Sequence, residues 1–137
     1  MTRSKLQLAL VAALLGASFG VAHAKDVKVT LTGSQEVPPV TTAAKATGEI
    51  TIKADKTVTG KITTKGIEGT MAHIHMAAKG ANGPVIVPLT KDGETWSVPK
   101  DRKLTPEQLK AFKDGRLYVN VHSAEHKGGE IRTQLKP

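Results

Sequence analysis

Residues 71–76 read Met71-Ala72-His73-Ile74-His75-Met76, and the reading of this stretch decides how the rest of the chain folds. Successive side chains of a β-strand leave on opposite faces, so His73 and His75 share one face with Met71, and Ala72, Ile74 and Met76 share the other. A strand with aliphatic residues on one side and two imidazoles on the other is half-buried in a sheet. The His-x-His spacing also sets two ring nitrogens side by side, as ligands of one metal ion would be. Leu117-Tyr118-Val119-Asn120-Val121-His122 has the same character, with Leu117, Val119 and Val121 inward and Tyr118, Asn120 and His122 outward. His126 follows in the loop from Ser123 to Gly128. If the two strands are neighbours in one sheet, three or four imidazoles converge on one patch.

Other segments fit around these two. Asp26 to Thr32 alternates as a strand, and Pro38 and Pro39 force an extended path after it. Gly48–Lys53 and Thr57–Thr64 form a hairpin around Ala54-Asp55-Lys56, with Gly60 a bulge or a point of close packing. Ala77 to Pro84 is a long turn. Val85 to Leu89 is a short strand that Pro88 confines to a sheet edge or a strand end, and Thr95 to Val98 adds another. Gly129 to Leu135 forms a hairpin with the His122 strand, turning Ile131 and Leu135 inward. The one helical signal is Thr105 to Gly115: Thr105 is the N-cap, Pro106 the first helical residue, Gln108 the partner in a capping box, and Gly115 the stop. These signals predict an all-β domain, an antiparallel Greek-key β-sandwich with one short helix. A small closed barrel is the alternative.

Arg3 and Lys5 precede an apolar run from Leu6 to Val21, and Ala22-His23-Ala24 supplies an A-x-A cleavage site. Residues 1–24 are therefore expected to be a signal peptide and residues 25–137 the mature domain, periplasmic or secreted, with no membrane span after cleavage. The formal charge of +8 falls to +6 when Arg3 and Lys5 leave. The remaining basic residues are dispersed rather than run together, which describes a solvated surface. With one Trp, one Tyr and two Phe there is little from which to build a base-stacking platform, so no nucleic-acid partner is expected. No Ser-His-Asp order, paired carboxylates or phosphate-binding glycine loop supports a hydrolase.

Cysteine is absent, so stability must come from a packed core, and a closed structural zinc site of the thiolate kind is disfavoured. His73, His75 and His122, on strands, are the expected ligands, and His126 is a fourth delivered by its loop. Met71, Glu36, Glu130 and Arg132 are expected around the ion as weak ligands or as groups that orient the imidazoles. Imidazoles suit copper, zinc, nickel and iron, and a thioether favours copper. Copper is the expected ion and zinc the second choice. Because a ligating imidazole must be neutral, affinity is expected to weaken as pH falls through roughly 6.5, the unperturbed histidine value.

Gln35-Glu36-Val37-Pro38-Pro39, Ala72-His73-Ile74-His75, Asn82-Gly83-Pro84-Val85, Leu104-Thr105 with Gln108-Leu109, and Leu117 to His122 with Gly128-Gly129-Glu130-Ile131-Arg132 occur in that order. Together they resemble the CHRD (chordin) domain family across essentially the whole mature chain, and its bacterial, single-domain, secreted members in particular. The resemblance implies a secreted immunoglobulin-like or dismutase-like β-sandwich. The His-x-His strand and the later His before Gly-Gly-x-Ile-Arg are also similar, in part, to Cu,Zn superoxide dismutase, although that enzyme's full set of zinc and bridging ligands is not evident and its disulfide cannot form. The leading expectation is an exported copper-binding protein that stores, buffers or carries the ion and exchanges it with a copper-delivery or copper-accepting protein. A mononuclear copper enzyme such as a dismutase, and an extracellular adhesion or interaction domain with incidental histidines, are the alternatives.

Overall fold

The computed structural model describes residues 24–137, so the proposed leader lies outside the described residues but for Ala24. The strands are β1 (Lys25–Leu31), β2 (Lys45–Ile52), β3 (Val58–Lys65), β4 (Gly69–Met76), β5 (Val85–Pro88), β6 (Thr90–Asp92), β7 (Thr95–Ser97), β8 (Leu117–Ser123) and β9 (Ile131–Leu135). Helix α1 (Pro106–Lys113) sits between β7 and β8. One sheet has the order β1-β2-β3-β7-β6 and the other β5-β4-β8-β9, all pairs antiparallel. The chain changes sheet after β3, after β5 and again through α1, which makes β7 a neighbour of β3 and β8 a neighbour of β4. This is the expected β-sandwich with one helix. Among the described residues no helix is long and apolar enough to cross a membrane.

The core lies between the sheets. Val27, Val29, Leu31, Ile50, Ile52, Val58 and Ile62 come from the first sheet, and Ile74, Val87, Val119, Val121, Ile131 and Leu135 from the second. Each aliphatic side chain buried this way contributes roughly 1.5–3 kcal/mol before entropy is set against it. Ile74, Val119, Val121, Ile131 and Leu135 are all fully buried, as the strand parity requires. Helix α1 has the capping box in both directions, with Thr105 accepting from the Gln108 N–H and Gln108 accepting from the Thr105 N–H. Gly60 keeps the β2–β3 register and lies directly opposite Ile50. It is a point of close packing rather than a bulge, because a side chain there would run into the Glu49 carbonyl.

Two features depart from simple alternation. Strand β6 is exposed at all of its residues, so no apolar pattern marks it; it is held as a hairpin partner of β7. Strand β8 is buried at every residue, on both faces. The outer face of β8 is therefore not a solvent face. It is a buried polar layer covered by three segments: residues 77–84, the loop around residue 127, and the chain after β1. That last segment is steered by Thr32, which leaves the first sheet to pair with Arg132, the two exchanging N–H···O bonds of 3.2 and 3.0 Å. The crossing brings Glu36 over the outer face of the second sheet.

Candidate metal centre

Strands β4 and β8 are hydrogen-bonded neighbours, with Met71 opposite His122, His73 opposite Asn120, and His75 opposite Tyr118. Residues facing each other across a ladder share a sheet face, so His73, His75 and His122 emerge together on the outer side, away from Ile74, Val119 and Val121. Each offers a ring nitrogen, and these atoms all lie within 4.8 Å of one another. The rings are 4.9 Å (His73–His122), 5.3 Å (His73–His75) and 5.9 Å (His75–His122) apart between centroids.

Backbone carbonyls fix which nitrogen points inward. His75 Nδ1 is 2.9 Å from Gly83 O, and His122 Nδ1 is 2.8 Å from Lys127 O. A carbonyl can only accept, so both Nδ1 atoms carry the proton and both Nε2 atoms carry the lone pair of a neutral imidazole. This is the outer hydrogen bonding that ligating histidines use to hold their rings. His73 Nδ1 lies 3.1 Å from His122 Nε2 and donates to it. Among the described residues, His75 Nε2 is buried without a hydrogen-bond partner.

Aromatic and cationic packing holds His75 from the side. Its ring stacks on Tyr118 at 4.7 Å with 1° between planes, and the Arg132 guanidinium caps the far face of Tyr118 with its carbon 3.4 Å from the ring centre. The Tyr118 hydroxyl accepts from Gly83 N–H at 3.1 Å, on the same residue whose carbonyl pins His75. Arg132 also ties down the covering turn, donating to Ala81 O at 2.8 Å and to Asn82 Oδ1 at 3.2 Å. Gln134 adds a bond to Ala77 O at 2.8 Å.

Burial favours the neutral form of His73 and His75. Desolvation, followed by the neighbouring imidazoles of His122 and His75, lowers the His73 pKa to about 4. Desolvation also lowers that of His75, partly offset by the Gly83 carbonyl. A set of neutral nitrogen donors with an inward lone pair left unpartnered suits a cation that accepts imidazole, so the residues fit copper or zinc.

The other expected site residues are placed as follows. Met71 is half-exposed at the rim, opposite His122. Glu36 is buried beside the cluster, where burial raises its pKa, and it accepts from Asn120 Nδ2 at 3.4 Å. Arg132 supports the site through Tyr118 and the turn rather than through an ion pair. Glu130 does not hold an imidazole: its carboxylate accepts from Thr42 Oγ1 and Ser123 Oγ, both at 2.8 Å, and the imidazole N–H groups go to backbone carbonyls instead. His126 does not join the three-nitrogen group. It stays in the loop after β8, where its backbone N–H donates to Ser123 Oγ at 3.2 Å. Tyr118, Asn120, Asn82 and Gly83 carry no metal-ligand pattern in the sequence. The available signal was the run of polar and aromatic residues on the outer face of β8, which only a covered face would need.

No curated protein and no solved structure matches the chain. The family model for the CHRD domain matches residues 27–135, from β1 to the last residue of β9 and through every residue of the site. On that match, the chain belongs to the CHRD-domain family.

Proposed function

We propose that this CHRD-domain protein is an exported metal-binding protein that holds copper, with zinc as the second candidate, at His73, His75 and His122, and that it stores, buffers or carries the ion outside the cytoplasm. The observation that carries this reading is the convergence of three imidazole nitrogens within 4.8 Å, two of the rings being oriented by carbonyls. Copper is favoured because no carboxylate or thiolate is among the three donors and a thioether stands at the rim. Half-exposed Met71 is a suitable point of exchange with a delivery or acceptor protein. The test is metal analysis of the protein purified from the periplasm of its expression host, followed by separate titrations with Cu(II), Cu(I) and Zn(II). One ion per chain is expected, lost in His75→Ala. A parent protein that binds none of the three would overturn the reading and favour an adhesion or interaction domain. One observation supports an enzyme of the dismutase class as second reading: His73 is only partly buried, so one side of the site is open to a small substrate. A superoxide assay on the copper-loaded protein separates the two.

A further inference from the structure

Beside the three imidazoles sits a fourth group whose polar atoms are only half used. Asn120 lies in the middle of β8, directly opposite His73 and two residues before His122, so its side chain leaves the sheet on the histidine face. It is 1 % exposed. Chemistry settles its orientation. The Glu36 carboxylate can only accept when ionised, so the amide Nδ2 that donates to Oε1 faces Glu36 and Oδ1 points away from it. Gly129 closes over this pair: a side chain there would run into Glu36 Oε1 and Asn120 Nδ2.

Among the described residues, Asn120 Oδ1 has no hydrogen-bond partner, and neither has His75 Nε2. Each orphaned buried atom costs the folded chain stability, so two on one face of one sheet call for a common cause. Asn120 stands diagonally across the β4–β8 ladder from His75, on the same face. The proton of neutral His75 is committed to Gly83 O, so Nε2 offers a lone pair. An acceptor therefore neighbours an acceptor, and an electron-poor centre between them satisfies both. The third orphan, Trp96 Nε1, is a donor in the other sheet and plays no part here.

We propose that Asn120 Oδ1 is a fourth ligand of the ion held by His73, His75 and His122, which makes the site three imidazoles and one neutral amide oxygen. This deepens the metal-binding reading above and rests on it. A hard oxygen donor favours divalent ions, Cu(II) and Zn(II), over Cu(I), which prefers soft sulfur. The form held at rest is then the divalent one, and the Met71 thioether serves exchange.

The test uses the exported protein with Cu(II), Cu(I) and Zn(II) titrated separately. Asn120→Leu removes the oxygen at similar volume. Asn120→Asp combined with Glu36→Gln reverses the donor and the acceptor, keeping both the hydrogen bond and an oxygen facing the histidines. Folding is checked by circular dichroism. The Leu variant is expected to bind Cu(II) and Zn(II) weaker by about tenfold or more, and Cu(I) within about twofold of the parent. The double variant is expected to retain Cu(II) with an altered electron paramagnetic resonance spectrum, because an anionic oxygen has replaced a neutral one. A folded Leu variant that binds Cu(II) like the parent, or a double variant whose spectrum superimposes on the parent's, overturns the proposal. Should either variant fail to fold, a crystal structure of the Cu(II)-loaded parent decides: Oδ1 at a bonding distance of about 2.2 Å supports it, and an ion with no bond to Oδ1 overturns it. Loss confined to the Asn120 changes leaves the three-histidine reading intact, whereas a parent that takes up no ion removes both.

Discussion

An imidazole serves as a ligand only when its proton is held on the other nitrogen. In His75 and His122 that assignment is made by two main-chain carbonyls; without an ion His73 donates to His122, a bond that a bound ion would replace. Three anchored nitrogens define an ion's position, so His73→Ala, His75→Ala and His122→Ala are each expected to weaken copper binding by about a hundredfold or more by competition titration, close to abolishing it. His126→Ala, outside the group, is expected to cost less than about tenfold. If His122→Ala binds like the parent, the two strands do not share an ion. The pH dependence follows from the direction of the shifts. Folding lowers the His73 value from 6.5 to about 4, so between these values the unfolded chain takes up a proton that the folded chain refuses. The stability of the metal-free protein should therefore fall as pH drops from 6.5 towards 4, as denaturant titrations at stepped pH would show. For the same reason copper affinity should persist below 6.5 and be lost as pH approaches 4, lower than free imidazole chemistry alone suggests. A loss centred at 6.5 would mean that the cluster is solvated.

Individual elements divide into those that carry the site and those that hold the body together. Helix α1 belongs to the second kind: Leu109 and Phe112 pack on the core and no site residue lies on it. Thr105→Ala removes the capping box and should cost about 1 kcal/mol, seen as a lower Tm, with metal affinity unchanged. A change in affinity would show that the helix reaches the site. The helix, the β8–β9 hairpin and the opposed faces of β4 could be read from the sequence because caps, turns and alternation are local signals. The facing of His73, His75 and His122 followed once β4 and β8 were taken as neighbours. The rest depended on distant contacts. Nothing near Glu130 announces that Thr42, 88 residues away, will occupy its carboxylate. Nothing near Tyr118 announces that Arg132 and a turn will cover it. The carbonyls of Gly83 and Lys127 leave no mark at all, because every residue has one.

At the scale of the whole molecule, the sandwich core is complete without the site. The histidines lie on the far side of β4 and β8 from the aliphatic core, so the metal-free protein should remain folded and a chelator should not unfold it. An ion that binds only the folded chain should add stability, about 2.7 kcal/mol at a free concentration one hundred times Kd. Thermal melts with and without Cu(II) would show this as a rise in Tm that is absent in His75→Ala. A chain that unfolds on chelation would place the metal in the core's energetics, contrary to this architecture.

The turn over the outer sheet face has a consequence for how the protein tolerates change. Ala77 and Ala81 offer the site carbonyl oxygens and nothing from their side chains. Gly83 offers its carbonyl to His75 and its N–H to Tyr118, and it has no space for a side chain beside Met76 and Ala77. The lid is thus read by count rather than by spelling. Exchanging Ala78 or Lys79 for other small or polar residues should pass unnoticed at the metal. Removing a single residue between Ala77 and Ala81 would slide the Gly83 carbonyl off its imidazole and free the ring to present the wrong nitrogen, with every ligand still in place.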